Sequence, residues 1–203
     1  MSIQLHNICK SFGKPAVPIL KDISAEIQDG DFVSIIGKSG SGKTTLLYVI
    51  STLDEPTSGQ IIIAGKDPKK MGVDELHDFR NSNIGFVFQF HYLLPELNVL
   101  ENVLLPPRRK KMHKEKEGFA KELLAEFGLA EKLHRLPTQL SGGEQQRVAI
   151  ARALVMKPRY IFADEPTGNL DTANGEMVMK ILVDINKKLG STIILVTHDP
   201  DYA

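Results

Sequence analysis

An α/β fold with a parallel sheet around a phosphate-binding loop is what this sequence predicts, on three observations. The first is a strand-to-helix passage. Apolar Phe32-Val33-Ser34-Ile35-Ile36 is followed by Gly37-Lys38-Ser39-Gly40-Ser41-Gly42-Lys43-Thr44 and then by Thr45-Leu46-Leu47-Tyr48-Val49-Ile50. The second is a set of continuous apolar runs at 84–88, 160–163 and 192–197, the pattern of strands covered on both faces. The third is that helix-period stretches separate these runs, as crossovers between parallel strands require.

Taken in order, residues 3–12 alternate apolar and polar and predict a half-exposed strand; 13–18 make a turn and 19–27 a second alternating strand. Phe12, near the end of the first strand, is either a core aromatic or a face for a stacked base. Asp29-Gly30 turns the chain into the strand that feeds the loop. That loop has the spacing GxxxxGK[ST], in which glycines bring successive N–H groups around a phosphate. The helix opening at Gly42 adds its positive end. Lys43 is placed for the β- and γ-phosphates, and the Thr44 hydroxyl for Mg²⁺.

A strand is expected over 60–64, closed by Gly65, and a short helix over 73–80. The run 84–88 ends at Gln89, where a polar side chain would face a ligand at the carboxyl edge of a parallel sheet. Residues 90–107 are unusually apolar for a connector, through core packing or as a groove for a partner helix. Arg108-Arg109-Lys110-Lys111, with Lys114 and Lys116, reads as a solvated face, with anionic lipid headgroups as the alternative. Phe119, Ala120, Leu123, Leu124 and Phe127 mark an amphipathic helix that Gly128 ends.

Leu140-Ser141-Gly142-Gly143-Glu144 leads into a helix. Ser141 and Glu144 have capping-box spacing. A cap has no need of two glycines, each weakening a helix by about 1 kcal/mol relative to alanine. Bare backbone at a helix start suits the close approach of an anion. The run 160–163 ends in Asp164-Glu165, placed for a metal and for its nucleophile: Asp164 to hold Mg²⁺, Glu165 to orient or deprotonate a water. A turn over 166–171 precedes a helix over about 172–189 with Met177, Ile181 and Ile185 on one face and Gly190 as its stop. The last run delivers His198 at its carboxyl end.

The 203 residues, 42% hydrophobic with zero formal net charge, allow one sizeable core or a core with a lobe, and give no global attraction to nucleic acid. The single cysteine, Cys9, excludes an internal disulfide framework. No apolar run approaches the ~18 residues of a membrane span, and the first residues do not read as a signal peptide. A cytosolic protein is expected, held at a membrane through a partner. A GTPase is disfavoured because Asn186-Lys187-Lys188-Leu189 lacks the aspartate of a base-reading motif.

These motifs together resemble the ATP-binding subunit of ABC transporters, from Phe12 to His198. Residues 37–44 match the phosphate loop, Gln89 the Q-loop, 140–144 the signature motif, Asp164 and Glu165 the Walker B aspartate and catalytic glutamate, Asp171 the D-loop, and His198 the switch histidine. Phe12 stands where the family stacks adenine. The resemblance implies the ABC ATPase fold: a P-loop NTPase core with a parallel sheet (1–89 and 157–203), an N-terminal antiparallel β-layer, and an inserted α-helical lobe (90–156) carrying the signature. It implies ATP held by Phe12, Gly37, Lys38, Ser39, Gly40, Ser41, Gly42, Lys43, Thr44, Thr45 and Asp171, with Ser141, Gly142 and Gly143 serving the nucleotide of a second copy. It also implies Mg²⁺ on Thr44, Gln89 and Asp164, and catalysis by Glu165, His198, Lys43 and Gln89.

The implied partners are a second copy in a head-to-tail sandwich and integral membrane permease subunits at the inner face of the membrane. Residues 88–97, 100–103 and 164–171 resemble the subgroup with mechanically coupled membrane partners: the lipoprotein-releasing (LolD-type), macrolide- or peptide-exporting (MacB-type) and cell-division (FtsE-type) members. The segment after Gln89 is nearest the lipoprotein-releasing kind. A nucleotide-gated scaffold of the cell-division type is the alternative. The chain stops five residues past His198, where members usually continue, so a truncated or missing terminal segment is expected, weakening packing around the last strand.

Overall fold

The computed structural model describes residues 1–199; the terminal expectation, which concerns 200–203, lies outside the described residues. Two sheets organise the chain. The first is antiparallel, with β1 (Ser2–Phe12) between β2 (Val17–Gln28) and β4 (Ser58–Ile63). The second is parallel, ordered β3 (Phe32–Ile35), β7 (Thr192–Val196), β6 (Tyr160–Asp164), β5 (Ile84–Val87). The register aligns Val87 with Ala163, Asp164 with Val196, and Ile35 with Val196, so all four strands end at one edge.

Alternation along the parallel strands sorts side chains into two cores. Tyr160, Phe162, Ile194 and Val196 point toward the antiparallel sheet, α1 (Lys43–Ile50) and α2 (Val73–Asn83), where they meet Ile3, Ile8, Leu47, Ile50 and Ile63. Ile161, Ala163, Ile193 and Leu195 point the other way. There they join α3 (Val99–Val103), α5 (His113–Glu126), α6 (Gly142–Leu154) and α7 (Thr172–Leu189). Both faces are covered, which is why these strands read as unbroken apolar runs. The short helix α4 (Leu105–Arg109) follows α3.

The helices between 90 and 156 share their core with the sheet. Helix α6 lies against β5 so closely that a Cβ at Gly85 would sit 2.6 Å from the Ala153 carbonyl oxygen. The apolar segment 90–105 divides: Val99, Leu100, Val103 and Leu104 are buried, whereas Phe90, Tyr92 and Leu94 are exposed. Buried Asn102 makes this division possible. Its amide donates to the Leu94 and Leu97 carbonyls and accepts from the Leu94 N–H, holding an irregular loop as a turn would. Helix α7 spans the expected residues and ends at Gly190 with φ 66°. Its buried face differs from the expected one: Gly175, Val178, Leu182 and Ile185 face the sheet, and Met177 is exposed. Both stripes are apolar at i, i+4 spacing, and the stripe nearer the sheet wins. Asn186, inside α7, donates to the Gly30 and Ser191 carbonyls, a structural role that accounts for it without any base.

The Gly85 contact meets backbone and has no flexible side chain to give way. Gly85→Ala is expected to destabilise the fold by about 1–3 kcal/mol, read as a lower denaturant midpoint at unchanged slope. An unchanged midpoint would show that α6 does not pack on β5 this closely.

Candidate functional site

The carboxyl edge of the parallel sheet carries four pieces in spatial order: the glycine loop after β3, His198 after β7, Asp164-Glu165 at the end of β6, and Gln89 after β5. Edge and sequence meet here because each strand is followed by a polar residue where its pairing stops.

The loop after β3 owes its shape to two glycines at positive φ, Gly40 at 75° and Gly42 at 91°. Gly42 is the N-cap of α1, and a Cβ there would lie 3.0 Å from Ile19 Cγ2, so it also lets β2 approach the helix start. The Lys43 ammonium donates to the carbonyls of Gly37 (2.9 Å) and Lys38 (3.1 Å), holding it over the loop. One residue on, the Thr44 hydroxyl donates to Asp164 Oδ1 at 3.0 Å, joining the loop's helix to β6 across the sheet. Tyr48, one helical turn after Thr44, also hydrogen-bonds Asp164. Burial pushes the Asp164 carboxyl up from its ordinary value, the hydrogen bonds from Thr44 and Tyr48 pull it down, Glu165 adds upward repulsion, and Lys43 opposes it. The net shift is upward: a nearly buried carboxylate without enough positive charge around it.

Glu165 has φ 44°, the left-handed region that a glutamate adopts at a cost of roughly 1–3 kcal/mol. Two backbone bonds hold it there: its N–H donates to the Val196 carbonyl (2.9 Å), and its own carbonyl accepts from the Gly168 N–H (3.0 Å). This conformation sends its side chain to His198, whose Nδ1 lies 3.1 Å from Glu165 Oε2. The histidine side chain is 65% exposed and the glutamate 22%. Gln89 reaches the same place, since a Cβ on Gly168 would lie 3.0 Å from Gln89 Nε2 and 3.4 Å from Glu165 Oε2. Asn169 donates to the Gln89 carbonyl at 3.2 Å. Phe12, 48% exposed, ends β1 with the Lys10 ammonium 4.8 Å from its ring centre.

The structure therefore gathers Lys43, Thr44, Asp164, Glu165, His198 and Gln89, and leaves Phe12 open at the rim. Ser141, Gly142, Gly143 and Asp171 form a separate cluster. Ser141 caps α6 in a capping box with Glu144, which Lys132 also contacts. Asp171 caps α7 and holds Asn174 twice, through the backbone N–H (2.9 Å) and the side-chain amide (2.8 Å). Among the residues facing Gly142, Leu170 is the nearest, at 4.0 Å from a Cβ placed there.

Two polar residues of α6 went unnoticed in the sequence. Gln146, buried, donates to the Phe88 carbonyl (3.3 Å) and the Pro166 carbonyl (2.9 Å), tying the Gln89 strand to the loop after Glu165. Arg152 donates to the carbonyls of His91 and Tyr92, each at 2.7 Å, fixing the segment behind Gln89. Their helical spacing looks like an ordinary polar face; what gives them away is that α6 has no solvent on that side.

The ABC transporter family profile matches residues 20–168. The chain belongs to the ABC transporter family. Similar curated proteins are the lipoprotein-releasing system ATP-binding proteins LolD of Leptospira interrogans and Aquifex aeolicus. The first is 53% identical over 99% of this chain and 84% of that one, the second 54% over 91% and 83%. Among solved structures, the chain resembles a dimeric bacterial ABC transporter cassette, with TM-score 0.89 and 42% identity over 99% of this chain and 90% of that one. It also resembles a dimeric ATP-binding cassette in a post-hydrolysis state bound to ADP and Pi, with TM-score 0.86 and 40% identity over the same shares. The expected fold is the observed one, the expected enzyme class, an ATPase, stands, and the relatives fall in the lipoprotein-releasing subgroup. No described helix is long and apolar enough to cross a membrane.

The upward shift at Asp164 has a sign. A carboxyl whose folded value lies above its unfolded one destabilises the fold as pH rises through that interval, and fully above it. Asp164→Asn should therefore melt no lower than the parent at about pH 7 without nucleotide or metal. That advantage should shrink toward about pH 4, where the parent's carboxyl protonates in both states. The same variant should lose about 10²-fold or more in Mg²⁺-dependent turnover. A lower melting point at neutral pH would contradict the electrostatics described here.

Proposed function

We propose that this chain is the ATP-hydrolysing motor of a membrane transporter, working on MgATP at a head-to-tail interface between two copies. The observation that carries the reading is the convergence at one sheet edge: Lys43 over its loop, Thr44 bonded to Asp164, and Glu165 bonded to His198.

The residues fit the cofactors. The Thr44 hydroxyl and Asp164 carboxylate are adjacent hard oxygen donors, the set Mg²⁺ takes, and the Gln89 amide is a further oxygen at the same edge. Bound there, Mg²⁺ neutralises charge on the β- and γ-phosphates. Loop N–H groups and the Lys43 ammonium bind the phosphates, and Phe12 offers an open face for adenine. Glu165 accepts the proton of a water aligned with the γ-phosphorus. His198 uses Nδ1 to steady Glu165 and keeps Nε2, on an exposed ring, for the γ-phosphate. Acceleration then comes mainly from position and charge, as phosphoryl transfer requires little covalent help.

Within the chain the signature turn neighbours Leu170, Asn174 and Lys132 rather than the phosphate loop. Its exposed Ser141 and Gly142 are free to complete the site of a second copy, which accounts for two anion-binding helix starts in one subunit. The dimeric relatives support this arrangement. The exposed Phe90, Tyr92 and Leu94, held from behind by Arg152 and Asn102, form the face through which Gln89 reports the nucleotide to a permease at the inner membrane surface. The names of the relatives point to lipoprotein release as the process driven.

Glu165→Gln should lower turnover by roughly 10²–10⁴-fold while MgATP binding, measured by equilibrium titration, is retained. Turnover near that of the parent would remove Glu165 from the role of base.

A further inference from the structure

The two signature glycines have different neighbours. Gly142 is exposed, with a Cβ placed there reaching only Leu170 Cδ2 at 4.0 Å. Gly143 is buried by its own chain. A Cβ at Gly143 would lie 2.2 Å from Asn174 Oδ1, 2.4 Å from its Cγ and 3.0 Å from its Cβ. No rotation of the Asn174 amide is free to relieve this. Its Nδ2 donates to Asp171 Oδ2 at 2.8 Å, and its Oδ1 accepts from the buried Arg147 guanidinium at 3.2 Å, four residues along α6 from Gly143. Asn174 thus sits at the centre of a bracket joining the start of α6 to the cap of α7. Asp171 lies six residues beyond Glu165, in the turn that Gly168 and Gln89 share with it.

We infer that Asn174 is the positioning residue of the signature turn: it holds Gly143 and Arg147 against Asp171, and it is the reason residue 143 must be glycine, whereas residue 142 must be glycine for the approaching nucleotide of a second copy. The bracket ties the half of a site that α6 lends to its partner to the loop carrying the chain's own Glu165. The inference deepens the half-site reading and rests on it for Gly142; the Gly143–Asn174 packing stands on this chain alone.

A double-mutant cycle tests it, with melting read without nucleotide and turnover read with MgATP. Gly143→Ala should lower the melting temperature by about 3–10 °C, the range of an overpacked backbone in a domain of this size. Asn174→Gly removes every atom the new methyl would strike. In that background Gly143→Ala should cost little melting temperature and leave turnover close to that of Asn174→Gly alone. Gly142→Ala should leave melting nearly unchanged and depress turnover in both backgrounds. Asn174→Ala should lower kcat with the KM for MgATP unchanged, because residues 37–44 are untouched. Equal melting losses for Gly143→Ala in both backgrounds would overturn the packing claim. A double variant that melts normally but stays inactive would overturn the assignment of Gly143 to packing alone, and an unchanged kcat in Asn174→Ala would remove its positioning role. Full activity in Gly142→Ala would instead count against the half-site reading, so the two failures are told apart.

Discussion

The Thr44–Asp164 hydrogen bond is the contact on which the site depends. It closes the gap between a loop after β3 and a carboxylate at the end of β6, strands that are not neighbours, with β7 between them. The bond brings a hydroxyl and a carboxylate together in a half-dry setting, where burial works against the charged carboxyl. Stability alone would favour a neutral residue there. A site kept partly uncompensated in its resting form is one that a divalent cation relieves, and the cost in stability falls where binding recovers it.

A similar tension sits at Glu165. Its backbone occupies a region that non-glycine residues avoid, pinned by bonds to Val196 and Gly168, and the result is a side chain facing His198. Gly168 is required nearby because Gln89 and Glu165 both crowd the place a side chain would take. The carboxyl edge thus concentrates strain and unpaired charge, while the strands behind it are packed on both faces. The rigid part of the fold holds the costly part in position.

Much of this was legible in the residues alone. The phosphate loop declares itself because few sequences place three glycines, a lysine and a threonine between a strand and a helix. The apolar runs ending in Gln89, Asp164 and His198 follow from a parallel sheet whose faces are both covered. Gln146, Arg152 and Asn174 were not legible, because a polar residue inside an amphipathic helix looks solvated until the chain folding over it is known. Met177 and Ile181 misled for a related reason: α7 carries two apolar stripes, and only the placement of β6 and β7 decides which is buried. Gly143 is the instructive case. Glycine beside glycine at a helix start suggests one purpose, yet Asn174, thirty-one residues later, gives the second glycine another.

The central claim is that each catalytic site is shared between two copies. Mixing two inactive variants tests it most directly, one with Lys43→Ala and an intact signature turn, the other with Ser141→Arg and an intact phosphate loop. In a head-to-tail dimer the mixed pair has one complete site, so an equimolar mixture should recover about a quarter of the parental ATPase activity. A mixture as inactive as its components, with mixed dimers shown to form, would contradict a shared site.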